Sequence, residues 1–174
     1  MANRNVARWT TVLLILPVLA LIVFAESPSS FEWLKGKSAP EIHFAKGSDG
    51  KPGKLSDYRG KVVLLNFWAS WCGPCMVEMA ALRKLEEKLA PQGLVVLALN
   101  VDEKKEAVAK TVKLNTLPKA TAFEPVEADL TPFKVETIPA SLIIDRNGVV
   151  RLGLLGDPEW ESAKTVKQVE AILK

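Results

Sequence analysis

Two stretches of the chain are apolar at nearly every position, and each is about as long as a strand. They are KVVLLNFWAS at 61–70 and LVVLALNVD at 94–102, and such continuous runs are typical of strands buried on both faces of a sheet. Between them the apolar spacing changes to three and four residues, which predicts an amphipathic helix over 73–89. Its predicted apolar face carries Val77, Ala81, Leu82, Leu85 and Leu89.

The remaining pattern predicts shorter elements of both kinds, including a hairpin that turns at Asn147-Gly148. After an initial pair of strands, helices alternate with strands, which favours a mixed β-sheet between layers of helices, an α/β fold. The predicted elements are an edge strand at 41–46, a turn-rich connection at 47–54, a strand at 119–125, hairpin strands at 140–145 and 149–155, and helices at 103–115, 127–135 and 158–174.

The first residues of the chain have the pattern of an export signal. Trp9–Ala25 contains no charged residue and follows Arg4 and Arg8, and a basic region before an apolar run is typical of secretory signals. Cleavage before Glu26 and retention as an anchor, with the N-terminus inside the cell, are both open. We therefore expect an exported protein with a signal peptide or uncleaved N-terminal membrane anchor at 1–26, a linker at 27–37 and one domain at 38–174.

Composition and charge exclude several classes of protein. Of the 174 residues, 48% are hydrophobic and 25% are charged, which is typical of a globular domain and argues against disorder. The formal charge is +3, and without Arg4 and Arg8 the 23 basic residues fall to 21, against 20 acidic ones. A net charge this close to zero implies no basic face for nucleic acid. Two cysteines cannot form the disulfide framework of a small secreted scaffold, so packing must hold the domain together.

The only two cysteines, Cys72 and Cys75, stand where the predicted strand meets the predicted helix. Unpaired backbone N–H groups and the positive end of the helix dipole stabilise a thiolate at that place, which lowers the pKa of a cysteine there. Residues three apart share one face of a helix, which allows a bridge after modest local adjustment. We therefore predict a reversible redox pair in which Cys72 attacks and the more shielded Cys75 resolves.

Other uses of the two cysteines fit this sequence less well. Structural zinc usually takes four Cys or His ligands, whereas the chain offers two cysteines and His43, so no metal site is expected. Haem attachment requires His directly after the second cysteine, where Met76 stands. A purely structural disulfide across so short a loop would restrict the unfolded chain little. His43 itself is expected to have a surface or packing role.

The stretch NFWASWCGPC closely resembles the active-site strand and turn of thioredoxins. The domain at 38–174 is similar to the exported, membrane-tethered branch typified by TlpA, ResA and the cytochrome c maturation thioredoxins, which is related to the AhpC/TSA and redoxin proteins. Glu78 in CGPCMVE, the loop TIPASLIIDRNGVV and a long segment before ETIPAS carry this resemblance. It implies a thioredoxin-like α/β fold, with a central mixed β-sheet flanked by helices, an N-terminal β extension and an insert before a cis-proline loop.

The resemblance also implies roles for residues around the cysteines. Glu78 would accept or supply a thiol proton, because Asn66 stands where thioredoxin has a buried Asp and Ala98 where its partner lysine would be. Pro139 would form a cis bond beside the disulfide, and the Ile138 backbone groups would then pair with a substrate strand. The active-site turn and contact surface would also include Trp71, Gly73 and Pro74.

Together these observations predict an extracytoplasmic thiol–disulfide oxidoreductase that reduces disulfides of envelope proteins, with apocytochrome c among the candidates, through a Cys72–Cys75 dithiol/disulfide cycle. No cofactor is expected. The expected location is the bacterial periplasm or the outer face of the cytoplasmic membrane, and the resemblance implies a membrane reductase of the DsbD/CcdA type as electron donor. The alternatives are an oxidase that donates its disulfide and a copper-handling protein on the same fold, for which His43 is the only histidine.

Overall fold

The computed structural model describes residues 31–101 and 104–174, which form one sheet with helices against it. The strands are β1 (His43–Gly47), β2 (Gly53–Lys54), β3 (Val62–Trp68), β4 (Leu94–Asn100), β5 (Ala120–Pro125), β6 (Ala140–Ile144) and β7 (Val150–Leu155). Their order across the sheet is β2-β1-β5-β4-β3-β6-β7. The central strands β3, β4 and β5 are parallel, whereas the outer strands pair antiparallel. The predicted mixed sheet is therefore confirmed.

The helices cover the two faces of the sheet unequally. They are α1 (Gly73–Leu89), α2 (Lys105–Thr111), α3 (Glu127–Leu130) and α4 (Ala163–Leu173). Side chains of α1, α2 and α4 share one hydrophobic core, to which Met79, Val108 and Val169 belong. The opposite face is covered by shorter pieces, including the 3-10 turn after α3 that contributes Phe133.

Strand β3 is buried along its whole length because both of its faces are covered. Leu64 and Trp68 belong to the core under α1, whereas Leu65 and Phe67 belong to the core on the other face, as the alternation of side chains along a strand requires. Asn66 lies between Leu64 and Trp68 and therefore faces α1. The strand delivers the chain directly to the start of α1, where the two cysteines stand.

The buried face of α1 differs from the predicted one at Val77, which is 73% exposed. Residues two apart lie about 200° apart around a helix, and Cys75 and Met79, on either side of Val77, both point into the core. The expectation for Val77 is therefore wrong. The buried positions of α1 are Cys75, Glu78, Met79, Leu82, Leu85, Glu86 and Leu89.

The C-terminal helix begins later than predicted, at Ala163 instead of near Pro158. Ser162 is its N-cap, and the Ser162 Oγ accepts the backbone N–H of Thr165 at 3.2 Å. The residues before Ser162 form a separate turn, and Trp160 in this turn is buried in the core under α1. This difference matters for the site described below.

Two smaller differences concern the strands. The turn-rich connection contains the two-residue strand β2, so β1 has neighbours on both sides and is not the edge strand that the sequence predicts. The hairpin of β6 and β7 is confirmed, with its turn at Asn147-Gly148. Gly148 has a φ of 81° there, a conformation that glycine adopts readily.

Residues 31–37, the described part of the expected linker, are packed onto the sheet. They include a short 3-10 helix, Glu32–Leu34. The Phe31 ring stacks on Phe67 with 6.5 Å between the ring centroids. A Cβ added to Gly153 of β7 would lie 2.5 Å from the Phe31 Cβ, so only glycine leaves room for this contact. Residues 31–37 therefore pack together with the domain that the sequence places at 38–174.

The expected signal peptide or anchor at 1–26 lies outside the described residues. Within 31–101 and 104–174, no helix is both long enough and apolar enough to cross a membrane.

Candidate active site

Cys72 and Cys75 are joined by a disulfide at the junction of β3 and α1. The S–S distance is 2.04 Å and the two Cα atoms are 5.3 Å apart. Cys72 is the N-cap of α1, and its Sγ accepts the backbone N–H of Cys75 at 3.3 Å. Cys72 is 6% exposed and Cys75 is 0% exposed. Of the two cysteines, only Cys72 therefore presents any surface to solvent.

Three residues beside the disulfide are exposed, as a contact surface requires. Trp71 is 68% exposed, and Gly73 and Pro74 are also on the surface. A Cβ added to Gly73 would meet nothing within 4 Å, so the space next to the disulfide is open to an approaching chain. Pro74 occupies the first turn of α1, where its fixed φ and missing N–H suit a helix start.

The Ile138–Pro139 bond is cis, as the resemblance predicts, and it lies next to the disulfide. The Ile138 carbonyl oxygen is 3.8 Å from the Cys72 Sγ. Pro139 is buried, whereas Ile138 is half-buried. Thus the structure places the cis-proline loop directly opposite the more accessible sulfur.

A cleft of about 780 Å³ opens beside Trp71 and Ile138. One of its walls is the segment from α3 to the cis-proline loop, the insert that the resemblance predicts. Its apolar lining includes Phe67, Val101, Leu130 and Val135, and its charged lining includes Lys104, Glu124, Glu127, Lys134 and Glu136.

Glu78 lies one turn after Cys75 on the buried face of α1 and is 1% exposed. Both of its carboxyl oxygens accept hydrogen bonds from side chains. The Asn66 amide donates to Oε1 at 2.7 Å, and the Trp160 indole N–H donates to Oε2 at 2.9 Å. The same Asn66 amide group also donates to the Ser141 Oγ at 3.0 Å. A carboxyl group is thus fixed inside the core, one helical turn from Cys75.

The surroundings of Glu78 change its acidity. Burial raises the pKa of the Glu78 carboxyl from 4.5 to about 7, against the opposing effect of the hydrogen bonds from Trp160 and Asn66, while the negative charge of Asp157 raises the pKa further. Near pH 7 this group exchanges a proton readily, which suits a general acid or base.

Two members of this group, Trp160 and Ser141, are absent from the sequence-based predictions. Trp160 is 82 residues from Glu78 along the chain, and the pattern around it predicts a helix. Ser141 faces Asn66 across the pairing of β3 with β6. The sequence signal for Ser141 was the apolar strand ASLIID, in which a serine is an unusual buried residue; Trp160 has a weaker signal, a tryptophan just before the capping serine.

Asn66 has a different role from the one that thioredoxin gives to this strand position. It pairs in register with Ala98 of β4. Because the side chains of asparagine and alanine do not ionise, this pair of positions supplies no ionisable group. Asn66 instead donates a hydrogen bond to Glu78. The ionisable group of this buried network is therefore on α1, where the resemblance predicts it.

His43 lies in β1, where its Nδ1 is 2.8 Å from the Asp129 Oδ2 of α3. This contact holds the insert against the sheet. In the part of the chain that the structure describes, no three His, Cys, Asp or Glu side chains are grouped so that they could hold a metal ion.

The mixed sheet, the disulfide at the start of α1 and the cis-proline opposite it define a thiol–disulfide oxidoreductase with a thioredoxin-like fold. The sequence profile of the AhpC/TSA family matches residues 35–152. The chain belongs to this family and is a ResA-like member of the thioredoxin superfamily.

Named relatives support the same class. The chain is 32% identical over 163 residues to the thiol-disulfide oxidoreductase ResA of Geobacillus thermodenitrificans, with 93% of each chain covered. It is 38% identical over 123 residues to the thioredoxin-like protein YneN of Bacillus subtilis, which covers 67% of this chain and 69% of that one. A Chlorobium tepidum structure assigned as the thiol:disulfide interchange protein DsbE has a TM-score of 0.71 and 35% identity, covering 80% of this chain and 98% of its own. The predicted fold and enzyme class are confirmed.

Proposed function

We propose that this protein reduces disulfides of envelope proteins outside the cytoplasm, through a cycle between the Cys72–Cys75 dithiol and disulfide. The observation that carries the proposal is the asymmetry of the pair. Cys72 caps the helix and presents surface to solvent, whereas Cys75 is fully buried, one turn before the buried carboxyl of Glu78. This asymmetry supports an attacking role for Cys72 and a releasing role for Cys75.

In the first step, the Cys72 thiolate attacks one sulfur of a substrate disulfide. A Cys72–substrate disulfide forms, the substrate S–S bond breaks, and the second substrate sulfur leaves as a thiolate that takes a proton. The Cys75 backbone N–H, which is 3.3 Å from the Cys72 Sγ, and the helix dipole both stabilise the attacking thiolate.

In the second step, the Cys75 thiol gives its proton to the Glu78 carboxylate and attacks the Cys72 Sγ. The Cys72–substrate bond breaks, the remaining substrate sulfur leaves as a thiolate, and a proton from Glu78 or solvent neutralises it. The substrate has then gained two electrons and two protons, and the protein is left with the disulfide. Because the pKa of Glu78 is raised to about 7, proton transfer in either direction costs little near neutral pH.

The substrate would bind beside the cis-proline. An extended segment of a partner chain would pair with the Ile138 backbone, in the manner of strand addition, since the Ile138 oxygen lies 3.8 Å from the Cys72 Sγ. The cleft beside Trp71 would receive side chains of the same segment.

The location and the partners are proposed from the sequence and the relatives. The basic and apolar start of the chain supports export, and so does the resemblance of the domain to the exported branch that ResA typifies. Because an extracytoplasmic compartment is oxidising, the reduced protein must be regenerated. We propose a membrane reductase of the DsbD/CcdA type as the electron donor and apocytochrome c as one candidate substrate.

Trapping of mixed disulfides tests the proposal. The variant Cys75→Ser keeps the attacking thiol but cannot resolve the intermediate, so partners should accumulate through Cys72 in the envelope fraction. The matched control is Cys72→Ser, which should trap few or none because Cys75 is buried. Equal trapping by the two variants, or none by Cys75→Ser, would contradict the proposed roles.

The direction of the reaction needs a separate measurement. A redox titration of the Cys72–Cys75 pair is expected to give a reducing potential near that of thioredoxin, about −270 mV, because the two proteins share Gly-Pro between the cysteines. A potential near about −120 mV, as in strong oxidants, would instead favour an oxidase that donates its disulfide.

A further inference from the structure

The turn between β7 and α4 reaches into the active site from a part of the chain that carries no cysteine. We propose that Trp160 is a positioning residue of the thiol–disulfide reaction, whose indole N–H holds the Glu78 carboxyl in place beside the two cysteines. The inference rests on the proposed role of Glu78 as proton carrier.

The contact itself is short and completely buried. The Trp160 Nε1 donates to the Glu78 Oε2 at 2.9 Å, and both side chains are 1% exposed. Water does not compete for such a hydrogen bond, so it fixes the orientation of the carboxyl. The Asn66 amide fixes the other oxygen at 2.7 Å, and the carboxyl is therefore held between β3 and the turn.

The turn is built to hold Trp160 in this position. Glu159 has a φ of 54°, which is uncommon for a residue other than glycine and turns the chain so that the next side chain points inward. The Asp157 Oδ1 accepts the Glu159 backbone N–H at 2.9 Å, and the Thr165 Oγ1 donates to the Pro158 carbonyl at 2.7 Å. Because these contacts all lie within the turn and the first residues of α4, they hold the turn in shape independently of Glu78.

The turn is also tied to α1 at its surface. Glu161 and Lys84 of α1 form an ion pair at 2.6 Å. The same two elements therefore meet twice, once through exposed charges and once through the buried hydrogen bond between Trp160 and Glu78.

The groups that face Glu78 come from every element around it. Cys75 precedes it on α1, Asn66 reaches it from β3, and Ser141 of β6 acts on it through Asn66. The turn supplies Trp160 and the charge of Asp157, while Lys84 and Glu161 neutralise each other nearby.

Within one turn, two residues thus act on Glu78 in opposite directions. The indole N–H of Trp160 stabilises the ionised carboxylate and lowers its pKa, whereas the negative charge of Asp157 disfavours ionisation and raises it. This opposition provides a test that a merely structural role could not imitate, because the two substitutions must move one titration in opposite directions.

The test measures the Glu78 titration in the full-length oxidised protein by carbon NMR of labelled glutamate carboxyls, with Glu78→Gln identifying the signal. Trp160→Phe keeps most of the volume and removes the donor, and it should raise the midpoint by about one pH unit. Asp157→Asn keeps the oxygen that accepts the Glu159 N–H, and it should lower the midpoint by about 0.3 units. Because Asp157 is exposed, this second variant is expected to fold.

A kinetic readout follows the same two variants. The reduced protein is mixed with a small aromatic disulfide, which forms a mixed disulfide with Cys72 that Cys75 then resolves. The pH profile of this resolution rate should shift in the same directions as the NMR midpoints. Unchanged midpoints in both variants, or shifts in the same direction, would overturn the inference. If the wild-type protein reduced no disulfide while the midpoints still moved oppositely, the proposed function would fail but the positioning of Glu78 would stand.

Discussion

Helix α1 buries two glutamates, Glu78 and Glu86, about two turns apart, and they differ in the donors that hold them. Glu78 is 1% exposed and Glu86 is 4% exposed. Glu78 accepts hydrogen bonds from two side chains, Asn66 and Trp160. Glu86 accepts backbone N–H groups instead, from Val96 at 3.4 Å and from Lys119 at 3.0 Å.

The difference separates a structural carboxylate, Glu86, from the carboxylate that we propose as the proton carrier, Glu78. The backbone donors of Glu86 are fixed by β4 and by the chain entering β5, so its carboxylate joins α1 to the sheet and lies far from the cysteines. The donors of Glu78 are side chains that substitution can change one at a time, and the carboxyl lies one turn from Cys75. Burial alone therefore does not identify a catalytic acid, since the source of the hydrogen bonds and the distance to the thiols decide its role.

The largest effect should come from removing the acid beside the thiols. We expect Glu78→Gln to slow Cys75-dependent resolution of a mixed disulfide by about a hundredfold at pH 7, because an amide cannot take the thiol proton. Stopped-flow measurement of the resolution step checks this. The matched control is Glu86→Gln, which should stay within about twofold of wild type; equal slowing by both would remove the distinction between the two glutamates.

The next effect is on stability and depends on pH. The pKa of Glu78 is raised from 4.5 in the unfolded chain to about 7 in the fold, so the folded state retains a proton that the unfolded state releases in that window. The stabilisation is complete below about pH 4.5 and is lost as the pH rises through about 7. Between these limits, the wild-type protein should lose about 3 kcal/mol relative to Glu78→Gln. Urea unfolding of both oxidised proteins from pH 4.5 to 8 measures it, and parallel curves would contradict it.

A smaller effect, on stability alone, should follow from removing the other glutamate. Glu86→Ala leaves the N–H groups of Val96 and Lys119 without their acceptor, which should cost about 2 kcal/mol of unfolding free energy. Glu86→Gln keeps one oxygen and should cost about half as much. The same urea experiment provides the numbers, and a pH profile of disulfide exchange that changed with Glu86→Ala would show that this residue also acts on the thiols.

The smallest effect concerns Ser141, which contacts Asn66 but not Glu78 itself. Ser141→Ala removes an acceptor from the Asn66 amide and leaves both hydrogen bonds to Glu78 in place, so the resolution rate should fall by about threefold or less. The rate is measured as for Glu78→Gln. A loss as large as that of Glu78→Gln would mean that Ser141 belongs to the proton path itself.

The sequence predicts best what is local along the chain. Cys72 and Cys75 stand at a strand-to-helix junction that apolar spacing alone reveals, and the strand at 61–70 is recognised because both of its faces are buried. Val77 shows the limit of spacing. Residues two apart cannot both lie on the buried face of α1, and the structure buries Cys75 and exposes Val77. The role proposed for Glu78 comes from the resemblance and not from spacing, since a glutamate near the start of a helix is usually solvated.

The role of Trp160 could not be predicted because its contact with Glu78 joins two parts of the chain that are far apart in sequence. Glu78 and Trp160 are 82 residues apart in sequence, and they meet because the turn after β7 packs against α1. Furthermore, the helix pattern extends back through Trp160 to Pro158, whereas the positive φ of Glu159 and the capping of α4 by Ser162 exclude Trp160 from the helix. The turn before the cap thus places this tryptophan beneath the active site and not on a helix.

The packing of Phe31 has a practical consequence for anyone who shortens this protein. A chain cut at residue 38, where the sequence places the start of the domain, would lose the ring that stacks on Phe67 and fills the space above Gly153. It would also lose Leu34, which is buried in the same core. The apolar face thus uncovered would favour association of the truncated molecules. A shortened version should therefore begin upstream of Phe31.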